Sequence, residues 1–422
     1  MTDAADRLNR RGAVVLGLVA TGALAGAAIA LVPWQWVPGG VLTPMPANEL
    51  FSRAELARAE EFSDTRRWLS WSSLAVSLVV ALLLGLTSWG ARLLAPVVAR
   101  LRWWVAVPAA VVVLLAIGRI ATLPFSLALR RQSLDYGLTR QALDGWFLDV
   151  GRGLLVEAVT TSLALLVLVA LARWRPRDWY LPGAVLTVLL TFAGSLLYPV
   201  VVEPLFNRFT PMAEGPFKAS VLRLADREGV PVDDVLVSDA SRRTTTFNAY
   251  VSGIGSTRRV VVYDTLLDGL TPEQARVVIA HELAHAKNDD VLVGTTLGAL
   301  GGVVGVSVLA LLLDVSILRR RAGIDGPADP RAAALVLALV AVGALMVSPA
   351  SNAVSRAIEA RADRVSLQTT GADAAFLAMQ RRLAMQSLRD PEPPVVSQFW
   401  FGSHPTVVER AGLPDSLARA QR

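Results

Sequence analysis

The chain has 422 residues, of which 53% are hydrophobic and only 18% charged, with a net charge of +6. A soluble domain carries nearer a quarter charged residues, and the apolar surplus here is gathered into long runs, which excludes an ordinary soluble enzyme. Cysteine is absent, which removes thiol nucleophiles, thiolate metal sites and disulfides; the arginines cluster at the ends of apolar runs, as flanks of membrane spans rather than as a nucleic-acid patch, and no nucleic-acid partner is expected.

Seven apolar stretches are long enough, or nearly so, to cross a hydrocarbon core of about 30 Å. They run approximately 12–33, 69–90, 103–123, 153–172, 180–202, 293–318 and 332–349. In the first, Arg10 and Arg11 precede the run and Ala28-Ile29-Ala30 resembles a signal-cleavage site. The run is long for a signal peptide, however, and ends in Pro33-Trp34-Gln35-Trp36, which suits an interfacial belt; it is read as an uncleaved anchor. Arg119 and Glu157 fall inside spans three and four, and charges at such depth must face protein or water. A cell-membrane, multi-pass protein in contact with the lipid bilayer is expected. Its organisation is five transmembrane helices with loops over 1–202, a polar segment over 203–292, two further transmembrane helices over 293–350 and a second polar segment over 351–422.

The first polar segment reads as α+β. A helix is predicted over 214–228, ending near Gly229-Val230-Pro231, with a short strand at Val235-Leu236-Val237. Thr245 to Val251 and Arg259 to Tyr263 are two more β-rich runs, with Gly253-Ile254-Gly255-Ser256 as a hairpin turn between them. Thr271-Pro272-Glu273-Gln274 then opens a helix with a capping box and proline at the first helical position. On that helix lies the most informative pattern in the chain, His281-Glu282-Leu283-Ala284-His285, which uses two of only three histidines. Residues i and i+4 share a helix face, so both imidazoles can reach one zinc ion, and Glu282 projects beside it where it can take a proton from water.

Catalytic zinc takes three protein ligands and keeps a fourth position open. The third ligand is either the remaining histidine, His404, or a carboxylate. Glu359 is the strongest carboxylate candidate, because Asp363 stands four residues on and can accept a hydrogen bond from a ligating imidazole. The competing reading of this stretch is a surface helix with Glu–Arg pairs, since Arg356, Arg361 and Arg364 surround Glu359.

These residues resemble the Ste24-type CAAX prenyl protease family, the integral-membrane zinc metallopeptidases of the M48 group. Asn352-Ala353-Val354-Ser355-Arg356-Ala357-Ile358-Glu359 with Ala362-Asp363 looks like that family's N-x-x-S-R-x-x-E-x-x-A-D motif. Pro204 to Pro211, Asn248-Ala249-Tyr250, Val262 to Leu267, Ser403-His404-Pro405 with Glu409-Arg410, and Pro124-Phe125-Ser126 are similar to further family segments. Eukaryotic members usually have glycine at Ala284 and tryptophan at Ala286, so the His-Glu-Leu-Ala-His segment is more similar to bacterial members. The resemblance implies a mainly α polytopic fold of seven transmembrane helices plus a split α+β zinc-metallopeptidase domain with a small β-hairpin or sheet. It implies Zn²⁺ on His281, His285 and Glu359, with Glu282 as general base and His404 hydrogen-bonding the reacting carbonyl or its oxyanion. It also implies Asp363 and Arg356 as supporting residues, Arg356 pairing with a carboxylate near the site, and Asn248, Ala249 and Tyr250 as an edge strand for an extended protein or peptide substrate. The spans would enclose a water-filled chamber.

Two other readings fit less well. A site-2-type intramembrane protease takes its third ligand from Leu-Asp-Gly, and Leu267-Asp268-Gly269 is present, but upstream of the histidines and on a predicted loop. A membrane scaffold with a vestigial metal site should lack a ligand or base, yet every such position is filled. Arginine-rich loops at 92–102, 173–177 and 319–331 place the catalytic segments outside by positive-inside counting, whereas in eukaryotic relatives they face the cytosol.

Overall fold

The computed structural model describes residues 8–253 and 258–422. Its longer helices, in chain order, are α1 (Arg10–Leu31), α2 (Arg53–Leu86), α3 (Trp103–Asp135), α4 (Leu143–Trp174), α5 (Tyr180–Leu197), α6 (Pro216–Glu228), α7 (Pro272–Lys287), α8 (Asp290–Leu313), α9 (Ala333–Thr370) and α10 (Asp373–Ser387); two short ones, α11 (Val395–Phe401) and α12 (Val407–Ala411), follow. Seven of these, α1 to α5, α8 and α9, are long and apolar enough to cross a membrane, each with a window of mean hydropathy between 2.1 and 2.4. Their outward faces carry side chains such as Ile120, Leu155 and Val185, all well exposed on the protein itself, as lipid-facing positions should be.

The bundle is packed at one end and open at the other. Val107 and Val111 of α3, Leu165 and Val169 of α4, Leu313 of α8 and Leu335 of α9 form one buried cluster with Trp179 and Tyr180. Small residues bring the backbones together at this end. A Cβ placed on Gly85 of α2 would lie 2.7 Å from the Ala334 carbonyl oxygen of α9 and collide with the Ala338 methyl group. Gly85→Leu should therefore force α2 and α9 apart, lower the unfolding midpoint and reduce yield in detergent, at a cost of about 1–3 kcal/mol or more; an unchanged midpoint would contradict this packing. Toward the other end the helices diverge around a cavity of ≈1200 Å³.

The polar segments form the cap over that open end. Strands β1 (Phe209–Pro211), β2 (Asp234–Ser238), β3 (Ala249–Ser252) and β4 (Arg259–Tyr263) make one sheet in the order β1-β2-β4-β3. The β1/β2 and β3/β4 pairs are antiparallel and β2/β4 is parallel, which leaves β3 paired on one side only. Val260 and Val262 of central β4, Ile279 and Leu283 of α7 and Phe376 and Met379 of α10 share one buried core. Thus α7 is clamped between the sheet, α9 and α10.

Several boundaries differ from the sequence expectation. The second span belongs to a longer helix, because the Ser52 hydroxyl accepts from the Glu55 N–H and the Glu55 carboxylate accepts from the Ser52 N–H, starting α2 at Arg53. Residues 245–248 are not strand: the Thr245 N–H donates to the Leu138 carbonyl rather than to β4, so β3 begins at Ala249. The turn expected at Gly253-Ile254-Gly255-Ser256 lies, apart from Gly253, outside the described residues. Leu267-Asp268-Gly269 ends a short helix, Asp264–Gly269, rather than lying on a loop. Span seven and the segment bearing Glu359 are one unbroken helix, α9, although Pro349 lies within it.

Candidate metal centre

The α7 capping box forms as read: the Thr271 hydroxyl accepts from Gln274 N–H and the Gln274 side chain accepts from Thr271 N–H. From this start the helix carries His281 and His285 onto one face, opposite Glu359 of α9. His281 Nε2 lies 3.2 Å from His285 Nε2 and 3.2 Å from Glu359 Oε2, and His285 Nε2 lies 3.7 Å from Glu359 Oε1. Among the described residues, these are the three whose donor atoms all fall within 4.8 Å of one another.

A carboxylate stands behind each imidazole. His281 Nδ1 is 2.9 Å from Asp363 Oδ1, and His285 Nδ1 is 2.9 Å from Asp290 Oδ2. Each carboxylate in turn pairs with an arginine: Arg410 forks onto both oxygens of Asp363 (2.7 and 2.5 Å), and Arg361 donates to Asp290. Asp290 reaches His285 because Asp289 adopts the left-handed conformation (φ +50°), which turns the chain from α7 into α8.

The donor set fits a divalent metal. Ionised carboxylates only accept, so each Nδ1 carries the ring proton and each Nε2 presents a lone pair. Two lone pairs 3.2 Å apart, beside a buried Glu359 Oε2 that has no hydrogen-bond partner, repel one another unless a cation lies among them. Burial opposes positive charge on His281, yet Asp363 and Glu359 push its pKa up to about 10, so these two carboxylates favour a positive charge at the ring, whether a proton or a metal ion supplies it.

The remaining expected residues surround this centre. Glu282 lines the same cleft, of ≈290 Å³, with its carboxyl held above the usual range by burial while both imidazoles pull it down. His404 lies on the far wall, its Nε2 3.3 Å from Glu359 Oε1 and its Nδ1 2.9 Å from the Ser403 hydroxyl. Burial, helped by Arg410 and Arg389 and opposed by Glu359, lowers its pKa to about 4, so it is neutral near pH 7. Asn248 is exposed into the cleft just before β3, the sheet's edge strand, and Ala249 is buried beneath it. The Tyr250 hydroxyl is engaged already, donating to Glu203 at 3.1 Å.

Arg356 corrects the sequence expectation: among the described residues it pairs with no carboxylate. Its guanidinium donates to the carbonyls of Gln398 (3.2 Å) and Gly402 (2.6 Å), at the end of α11. One and two turns earlier on α9, Asn352 donates to the Trp400 carbonyl at 2.7 Å and Ser348 to the same oxygen at 2.5 Å. The three side chains line one face of α9 and bind carbonyls at the C-terminal end of α11, of which, among the described residues, only that of Gln398 also accepts a backbone N–H, from Gly402. Arg356 thereby fixes the loop leading to His404. The roles of Asp290, Arg361, Arg410 and Arg389 were not read from sequence; the signals present were the five-residue spacing of Asp290 from His285, just past a helix end, and the place of Arg410 in the segment after Ser403-His404-Pro405.

Residues 211–412 match the model of peptidase family M48, and residues 41–208 match that of the CAAX prenyl protease N-terminal region with five membrane helices. An uncharacterized metalloprotease of Bacillus subtilis, YhfN, is 30% identical over 368 residues, covering 85% of this chain and 84% of the relative. CAAX prenyl protease 1 of Saccharomyces cerevisiae is 29% identical over 160 residues, 37% of this chain and 35% of that protein. The crystal structure of S. mikatae Ste24p has the same fold, with a TM-score of 0.77 at 20% identity over 96% of this chain and 99% of that one.

Proposed function

Because the chain belongs to peptidase family M48 as a Ste24-type, multi-pass membrane metalloprotease, we propose that it is a zinc endopeptidase acting on peptide bonds presented from its membrane chamber. The observation that carries the reading is the convergence of three lone-pair donors, on His281, His285 and Glu359, beside Glu282 in one cleft. Two imidazoles and a carboxylate with an open fourth position suit zinc. A zinc ion bound there supplies Lewis acidity, enough to lower the pKa of water from about 15.7 to about 7.

The chain's own groups do the rest. The β3 edge, next to the cleft, offers unpaired backbone groups to an extended peptide, and Asn248 adds a side-chain contact. Glu282 accepts the proton of the attacking water and later returns it to the leaving amine. Neutral His404 has its Nδ1 placed to accept from the Ser403 hydroxyl, which leaves Nε2–H to donate to the carbonyl oxygen as it gains charge. Asp363 and Asp290 keep the metal-facing nitrogens free of protons.

Two measurements test this. His285→Ala should lose stoichiometric zinc by elemental analysis while the purified wild type carries about one ion per chain; a variant that keeps its full zinc would remove His285 from the ligand set. Arg356→Ala should keep its zinc but lose about 10- to 100-fold in turnover of a quenched-fluorescent peptide, because the His404 loop drifts. Loss of zinc together with activity would instead mean that Arg356 supports the fold as a whole.

A further inference from the structure

The cavity above the metal centre is lined by six arginines and a single acidic residue, Asp390. Three of the arginines have partners: Arg67 pairs with Asp390 at 3.1 Å, Arg243 with Asp149 at 3.8 Å and Arg119 with Glu157 at 3.8 Å. Among the described residues, Arg66, Arg130 and Arg389 have no carboxylate partner, and the Nε of Arg130 is buried without any acceptor. Guanidinium groups do not shed their protons in proteins. The chamber therefore holds a permanent excess of positive charge in surroundings that weaken water's screening.

Arg389 differs from the others in position: it lines both this cavity and the metal cleft, beside Glu282 and His404. Its backbone is aimed there by strain. Leu388, immediately before it, closes α10 in the left-handed conformation (φ +49°) that residues with a side chain rarely adopt, and the Leu388 side chain is buried so that the turn cannot relax. The surrounding protein and the neighbouring Arg410 weigh against the charge on Arg389 while Glu359 supports it; the side chain is exposed to the cavity, where an anion can supply the carboxylate partner it lacks among the described residues. An extended peptide on the β3 edge offers such an anion as its C-terminal carboxylate or as an acidic side chain, and a guanidinium pairs with either through two parallel hydrogen bonds.

Resting on the peptidase reading above, we propose that Arg389 is a specificity-determining subsite that receives a carboxylate of the peptide substrate on the chamber side of the cleft. Arg66 and Arg130 extend the attraction into the chamber and favour entry of acidic over basic peptides.

The test uses the full-length protein in nanodiscs and three quenched-fluorescent peptides of one core sequence. The first is neutral with an amidated C-terminus, the second has a free C-terminal carboxylate, and the third is amidated with Glu replacing one Gln. At least one anionic peptide should exceed the neutral one in kcat/KM by about tenfold or more, and which one does identifies the source of the carboxylate. Arg389→Gln should abolish that ratio and Arg389→Lys should keep part of it; Arg389→Met serves where the Gln variant does not fold. The same ratios should appear as Kd values for peptide binding to the zinc-loaded Glu282→Gln variant, followed by fluorescence anisotropy. Absent turnover with the binding preference intact would defeat the peptidase reading while leaving the subsite standing. Equal binding of all three peptides, or a preference undiminished in the Arg389 variants, would overturn the subsite itself.

Discussion

Glu282→Gln should reduce peptide turnover by about three orders of magnitude, within the range of about 10²- to 10⁴-fold contributed by a positioned general base, while zinc content stays at one ion per chain. The two effects separate because Glu282 is not among the three converging donors, yet it faces the same cleft from the helix that carries two of them. Glutamine preserves shape and hydrogen bonding but cannot hold a transferred proton. The environment already favours proton acceptance: burial holds the Glu282 carboxyl above the ordinary range, although His281 and His285 oppose this. His404→Ala should cost less, about 10²-fold, since it removes one oxyanion donor and leaves proton transfer intact. Turnover of Glu282→Gln near the wild-type rate, with zinc bound, would exclude Glu282 as the base and require another acceptor in the cleft.

The membrane helices and the helix bearing His281 and His285 were legible because each is written as a local period. Apolar runs mark spans by length alone, and Thr271-Pro272-Glu273-Gln274 starts α7 by contacts three residues apart. The one-turn spacing of Glu359 and Asp363 on α9 marked a carboxylate pair, but it left Glu359 and His404 both open as the third ligand, and only the family resemblance chose between them. What sequence spacing could not carry were pairings across the fold. Arg410 meets Asp363 from 47 positions away, and Arg361 meets Asp290 from 71. The family resemblance implied a carboxylate partner for Arg356, whereas its guanidinium reaches the carbonyls at the end of α11, a contact between segments more than forty positions apart that local spacing does not reveal. The long polar start of α2 was missed because its capping box opens at Ser52, seventeen positions before the apolar run at 69–90 that drew attention. Charge of one sign in a cavity is harder still to read, because the six arginines come from helices and loops that meet only after folding.

Arg410→Ala should destabilise the protein and weaken the metal site together. Its partner Asp363 is 1% exposed and Arg410 itself only 10%, so removing the arginine leaves a buried carboxylate with His281 as its remaining partner. Breaking such a pair costs about 3–5 kcal/mol, and loss of a carboxylate's orientation behind a ligating imidazole costs about 10- to 100-fold in metal affinity. Arg361→Ala, which exposes Asp290 in the more open pair on His285, should cost less, since side-chain exposure there is already 16% and 7%. Unfolding midpoints and zinc competition with a chelator measure both quantities on the same samples. The combined variant Arg410→Gln with Asp363→Asn provides the control, because neutralising both partners removes the uncompensated charge. Its midpoint should therefore lie above that of Arg410→Ala, while its zinc affinity stays low because the amide no longer draws the proton of His281 as a carboxylate does. If the double variant proved as unstable as Arg410→Ala, packing of the guanidinium, rather than compensation of Asp363, would be what Arg410 contributes.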